Sequence, residues 1–223
     1  MLGSGSTGSA TPAQPRQQPA DGPPPVRVES RPKVQPVTRQ SPGLEQFFGA
    51  VRDRRGLAII DLAGVSQASV SFITNLGHTI YSDDFLQSLD ETLARGGADP
   101  RSGTRFLEQS LPLREPGFDG ALLWDCLQFL PPAWLEAGIE RLHAILRPDA
   151  VVLAFFNADE KAVAVPCYQY RIADQRTLHL VPRGTRAPAQ YFNNRVLERL
   201  FQRFATTKFF LTRDHLREVL VKR

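Results

Sequence analysis

The chain has 223 residues, 42% apolar and 22% charged, with a net charge of +4 and a mean hydropathy of −0.25. Those values suit one globular domain with an appendage, and no apolar run reaches the roughly 18 residues that a bilayer span requires. Five Lys/Arg against two Asp/Glu place +3 of the charge in residues 1–42, so the remainder is near neutral and lacks the basic face of a nucleic-acid binder.

Residues 1–42 hold nine of the 18 prolines and no aromatic residue. Such a segment cannot bury enough apolar surface to offset its ordering entropy, and a disordered tail is expected there. Its start, Met1-Leu2-Gly3-Ser4-Gly5-Ser6, has neither the basic opening nor the apolar stretch of a secretory signal, so a cytoplasmic location is expected. Cys126 and Cys167 lie far apart with no metal-like spacing and read as free packing thiols.

The expected domain spans 43–223. It opens on an amphipathic helix at Leu44–Val51, after which strands and helices alternate. Leu57–Leu62 is an apolar strand, and Ser66 can cap a helix that stops at Gly77. His78–Ser82 is a second strand, Phe85–Arg95 a helix, Thr104–Leu107 a short third strand, and Asp119–Asp125 a fourth. Pro132 starts a helix with Leu135, Ile139, Leu142 and Leu146 on one face, and Pro148 stops it. Val151–Phe156 reads as a strand buried on both faces. A hairpin insertion at 161–188 pairs Tyr168–Ile172 with Thr177–Val181, and either covers a substrate or is simply half-buried. A helix stripe (Val196, Leu197, Leu200, Phe201, Phe204) and an antiparallel pair, Lys208–Thr212 with Leu216–Lys222, close the chain. The pattern predicts an α/β fold, with a mostly parallel sheet between helical layers.

Three stretches carry a family resemblance. FDGALLWDCLQFLPP (Phe118–Pro132), RLHAILRPDAVVLAFFN (Arg141–Asn157) and GHTIYSDD (Gly77–Asp84) occur in the order and spacing seen in class I S-adenosylmethionine-dependent methyltransferases. The chain resembles that family, type 11-like, over about residues 44–223. The resemblance implies a Rossmann-like three-layer α/β/α fold with a seven-stranded sheet and an antiparallel terminal strand. It implies S-adenosylmethionine as cofactor and methyl transfer to a small molecule. In Arg141–Asn157, Asp149-Ala150 stands where the family has two glycines, and Asp tolerates that turn.

The family's first motif, Asp-x-Gly-x-Gly-x-Gly, falls on Asp61, but its glycine positions are Ala63, Val65 and Gln67, with Gly64 out of place. By resemblance the cofactor site comprises Asp61, Ala63, Gly64, Val65, Asp83 on the ribose, Gln109 as a substitute acceptor for the adenine amino group, and Trp124 and Asp125 facing the methyl group. Asp84 reads as the cap of the next helix. Asp61 serves either the cofactor turn or a backbone brace. His78, His143, His179 and His215 show no metal-ligand spacing, no metal site is expected, and no catalytic residue is singled out. Without the glycines, the rival expectation is a non-catalytic binding or scaffold protein that keeps the fold.

Overall fold

Why the sheet has the order it has follows from its apolar strands. In the computed structural model, which describes Gly3, Gly5 and residues 36–159, 161–212 and 215–223, four strands pair in parallel: β2 (Ala58–Asp61), β3 (Thr79–Ser82), β4 (Phe118–Trp124) and β5 (Leu146–Asn157). Every residue of β2 and β4 is buried, as strands covered on both faces must be. The terminal pair β8 (Thr206–Leu211) and β9 (Leu216–Lys222) adds antiparallel, giving the order β3-β2-β4-β5-β9-β8. This is the expected Rossmann-like class I methyltransferase architecture, with six strands in place of seven.

The missing strand is a correction. Thr104–Leu107 lies inside a helix, α4 (Pro100–Ser110), which Asp99 caps by accepting from the Arg101 and Ser102 amides. Phe106 and Leu107 point into the core, and Gly103 passes so close to Trp134 that a Cβ there would lie 2.4 Å from the indole nitrogen. The close helix–helix approach outweighs the strand propensity of a four-residue run, and β3 is left as the sheet edge.

Successive residues alternate between two cores. Ile60, Leu62, Ala121 and Leu123 face one side with α3 (Phe85–Gly96), α4, α5 (Pro132–Ile145) and α6 (Asn194–Leu200). Ile59, Leu122, Trp124 and Leu153 face the other, with Leu44, Phe47 and Phe48 of α1 (Pro42–Val51) and Ile73 of α2 (Gln67–Asn75). The second layer is only partly helical. A separate three-stranded sheet shares it, built from β6 (Val165–Ile172), β7 (Thr177–Arg186) and β1 (Val37–Gln40) in the order β1-β7-β6.

Strand β1 moves the start of the folded unit from residue 43 to Val37. Its Arg39 is buried and donates to Glu218 Oε1 (2.7 Å), while Glu218 Oε2 accepts from Ser41 Oγ (2.9 Å) and the Gly43 amide (2.6 Å). The expected tail over residues 1–35 lies outside the described residues, apart from Gly3 and Gly5. Asp149 takes the left-handed turn assigned to it (φ 65°) and pairs with Lys222 at 2.7 Å.

Candidate functional site

The chain leaves β2 outward to β3, then returns to place β4 on β2's other side. Open α/β sheets bind ligands at the carboxyl ends of the strands beside such a reversal. At this edge stand Asp61 ending β2, Asp83 and Asp84 after β3, and Trp124 and Asp125 at the end of β4. Four of these carboxylates also act on one thiol: Cys126 is pushed well above its usual value by burial, then by Asp125, Asp84, Asp61 and Asp83.

Asp61 is fully buried. Its Oδ1 accepts from Trp124 Nε1 (2.6 Å) and from the Ala63 amide (3.1 Å), and its Oδ2 has no partner among the described residues. Burial raises it to about 6 against those two hydrogen bonds. Asp125 is 2% exposed and raised to about 7, again by burial, with Tyr170 and the charges of Arg186 and Arg183 opposing. Asp83 is raised by burial while the Ser110 hydroxyl holds it down. Oδ2 of Asp83 and of Asp125 are likewise buried without a protein partner. Buried polar atoms without partners are few in native folds, and three carboxylate oxygens at one strand edge call for a reason.

Trp124 adds backbone strain. Its φ of 52° is an outlier for a bulky residue, at a point where the β4–β5 register slips. Such strain persists where the surroundings hold it and clusters at functional sites.

The turn after β2 has moved its glycine. Gly64 is the residue with positive φ (82°), and a Cβ on it would lie 3.0 Å from Asp84 Oδ2. Its amide donates to the Asp83 carbonyl (2.9 Å), and Ala63 bridges Asp84. Val65, at one of the motif's glycine positions, points to solvent at 73% exposure. Ser66 makes no side-chain cap on α2, so the first amides of that helix stay uncapped by it.

Hairpin β6–β7 lies across this edge. Gln169 Nε2 donates to the Val65 carbonyl (3.4 Å), and the Ile172 amide to Ser69 Oγ (3.1 Å). Arg183 grips Asp84 through both guanidinium nitrogens, and Arg186 pairs with Asp90 at 2.5 Å. The Tyr170 ring stacks on Trp124, with centroids 4.9 Å apart and planes 3° from parallel. A cavity of about 130 Å³ beside the stack touches Asp125, Gln128, Asn157, Tyr170 and His215.

The structure therefore brings Asp61, Ala63, Gly64, Asp83, Trp124 and Asp125 together, with Val65 turned outward at the rim. Gln109 does not join them: it faces solvent on α4, and its neighbour Ser110 reaches Asp83 instead. Asp84 caps α3 at the Gln87 amide (3.2 Å) as expected, and also receives Arg183. Arg183 and Gln169 had no sequence signal, because both act across about a hundred residues. His78 is buried at the opposite end of the sheet, beside Asp119. Among the described residues no cluster of three His, Cys, Asp or Glu side chains could hold a metal ion, and no helix is long and apolar enough to cross a membrane.

No family model and no curated protein matches the chain. Several solved structures are similar to it. One is the 1,6-didemethyltoxoflavin-N1-methyltransferase of Burkholderia thailandensis, solved with that compound and S-adenosylhomocysteine (16% identity, 82% of this chain and 76% of that one, TM-score 0.46). Another is a SAM-dependent methyltransferase from Methanosarcina mazei (16%, 76% and 93%, 0.44). A third is the glycopeptide N-methyltransferase MtfA with S-adenosylmethionine (13%, 80% and 91%, 0.43). The class I methyltransferase fold stands on the strand order and the terminal antiparallel pair, independently of these likenesses.

Proposed function

We propose that the strand-end carboxylates form a binding site for S-adenosylmethionine, and that the protein transfers its methyl group to a small molecule. The observation that carries this reading is the set of unpartnered buried oxygens on Asp61, Asp83 and Asp125. A surface that had lost its ligand gains nothing by keeping three buried carboxylate oxygens short of donors, since each costs desolvation free energy. Hydroxyl and ammonium groups are the donors such acids accept from, so the chemistry of the site fits this cofactor.

In this reading Asp83 takes the ribose hydroxyls, Asp61 and the first amides of α2 hold the amino-acid end, and Asp125 borders the acceptor. When bound, the cofactor supplies the activated methyl group. The protein's part is to orient it and exclude water, which is where most of the advantage in such a displacement lies.

A second reading, a non-catalytic protein that keeps the fold, is favoured by the hairpin. Tyr170, Ile172, Leu178 and Leu180 belong to the core on that face. Lifting all four, at about 1.5–3 kcal/mol each, would cost about as much as a domain's whole stability. The hairpin as a whole is therefore no lid, and room for a cofactor has to come from side chains alone.

Calorimetric titration with S-adenosylmethionine and S-adenosylhomocysteine separates the two. The methyl-transfer reading expects binding that weakens in Asp83→Ala, by about 1.5–3 kcal/mol per lost hydrogen bond to the charged acceptor. No heat at millimolar ligand, with a cooperative melt in the same sample, would leave the non-catalytic reading.

A further inference from the structure

Each of the three loops at the strand ends receives one side chain from hairpin β6–β7. Gln169 reaches the Val65 carbonyl after β2, and Arg183 reaches Asp84 after β3. After β4, Tyr170 lies flat on Trp124 while its hydroxyl stands beside Asp125. Tyr170 is 1% exposed, and the edge of Phe155 holds it from another side (5.4 Å, 68°).

These are the contacts a ligand of this edge would make: an aromatic ring on an indole, a hydroxyl beside a buried carboxylate, and a cation on the neighbouring acid. Burial and the nearby Asp125 charge push the Tyr170 phenol well above its usual value, so it stays protonated and able to donate. Ile172 and Leu178, 0–1% exposed, fix the hairpin's backbone, leaving the Tyr170 side chain as the part that can move. Arg183 is anchored differently: an ion pair whose side chains are 32% and 24% exposed crosses from β7 to the cap of α3.

We infer that Tyr170 is a built-in occupant of the cofactor site and that a ligand binds only by displacing its ring. The inference rests on the methyl-transfer reading and adds the regulation of that site. Apparent affinity is the intrinsic affinity scaled by the fraction of molecules with the ring displaced. Any change that frees the ring therefore raises affinity without touching a ligand contact.

The test titrates S-adenosylhomocysteine into the full chain as wild type, Tyr170→Ala and Tyr170→Leu, with near-ultraviolet circular dichroism of the stacked pair as a second readout. If under a tenth of wild-type molecules are displaced, Tyr170→Ala tightens binding by about tenfold or more. Tyr170→Leu, which removes the ring but keeps apolar bulk, tightens it less, and saturating ligand changes the aromatic signal of wild type. Wild-type binding with no tightening in either variant overturns the occupant and leaves the methyl-transfer reading standing. No binding by any of the three overturns both. If Tyr170→Ala does not fold, Tyr170→Leu decides alone, because it keeps apolar bulk in the core while removing the ring.

Discussion

The two ends of the central sheet treat their buried acids in opposite ways. At the amino end Asp119, 4% exposed, accepts from the Ala58 amide (3.0 Å) and sits within 3.4 Å of Arg147 and 3.7 Å of Arg54. At the carboxyl end Asp61 and Asp125 are as deeply buried, yet each keeps an unpartnered oxygen and is raised toward neutrality. Depth of burial is the same, so burial alone does not mark a site. Partners do: an acid that braces a fold has its donors supplied by that fold, whereas one kept for a ligand is left short of them.

The largest expected effect tests the short-changed end through pH. In the fold Asp125 keeps its proton up to about 7, while an unfolded aspartate loses it near 3.8. Between those values the folded chain binds the extra proton, so this contribution is whole below about pH 4 and is lost as pH rises to about 7. At about 1.4 kcal/mol per unit the loss is on the order of 4 kcal/mol, with Asp61 adding in the same direction up to about 6. Asp125→Asn is expected to melt above wild type at pH 8, with the gap closing by pH 4–5. The groups facing Asp125 are Tyr170, Arg183, Arg186 and Cys126. Melting curves for the two proteins that stay parallel across the range would show that Asp125 is ionised throughout, and the contrast between the ends would collapse.

At the satisfied end Asp119→Ala strips the Ala58 amide of a charged acceptor and is expected to cost about 2–3 kcal/mol, or roughly 5–10 °C for a domain of this size. A shift under about 2 °C in thermal unfolding would mean that Arg54 and Arg147 contribute nothing there and that Asp119 is no brace.

Asp84 belongs to both kinds, and its substitution is expected to be milder. Asp84→Ala removes the α3 cap, worth about 1 kcal/mol, and a half-exposed ion pair worth about 0–1 kcal/mol. Chemical denaturation showing a loss well above 2 kcal/mol would place the hairpin's anchorage at this pair instead of in its apolar face.

The smallest effect is expected at the turn after β2. Val65→Gly alters an exposed side chain and is expected to change stability by about 0.5 kcal/mol or less. Restoring the motif with Ala63→Gly, Val65→Gly and Gln67→Gly together is expected to leave cofactor affinity unchanged while Tyr170 remains on Trp124. A clear gain in calorimetric affinity from the triple change would show that the turn, not the hairpin, closes the site.

Local sequence signals placed most of the candidate residues at the strand ends. Asp61 and Asp125 follow apolar strands, Asp83 follows HTIYS, and carboxylates at strand ends are conspicuous in any α/β pattern. Gln109 failed because its assignment assumed a strand at Thr104–Leu107. The legible contrary signal is Asp99-Pro100, a cap and a first-turn proline that start the helix. Residues 37–42 failed because a proline-rich composition hid a strand whose pairing partner lies about 140 residues away.

The sequence by itself determined the parallel core, the terminal antiparallel pair, helix α5 and the acids at the strand ends, because each follows from apolar periodicity, capping or turn chemistry within a dozen residues. Only the tertiary structure decided that α4 replaces an edge strand, that Gly64 lies against Asp84, and that Tyr170 and Arg183 reach Trp124 and Asp84 at the strand ends. Those outcomes depend on close approach between distant segments, Gly103 to Trp134 and β7 to α3, and no local pattern encodes a contact whose two halves lie up to a hundred residues apart.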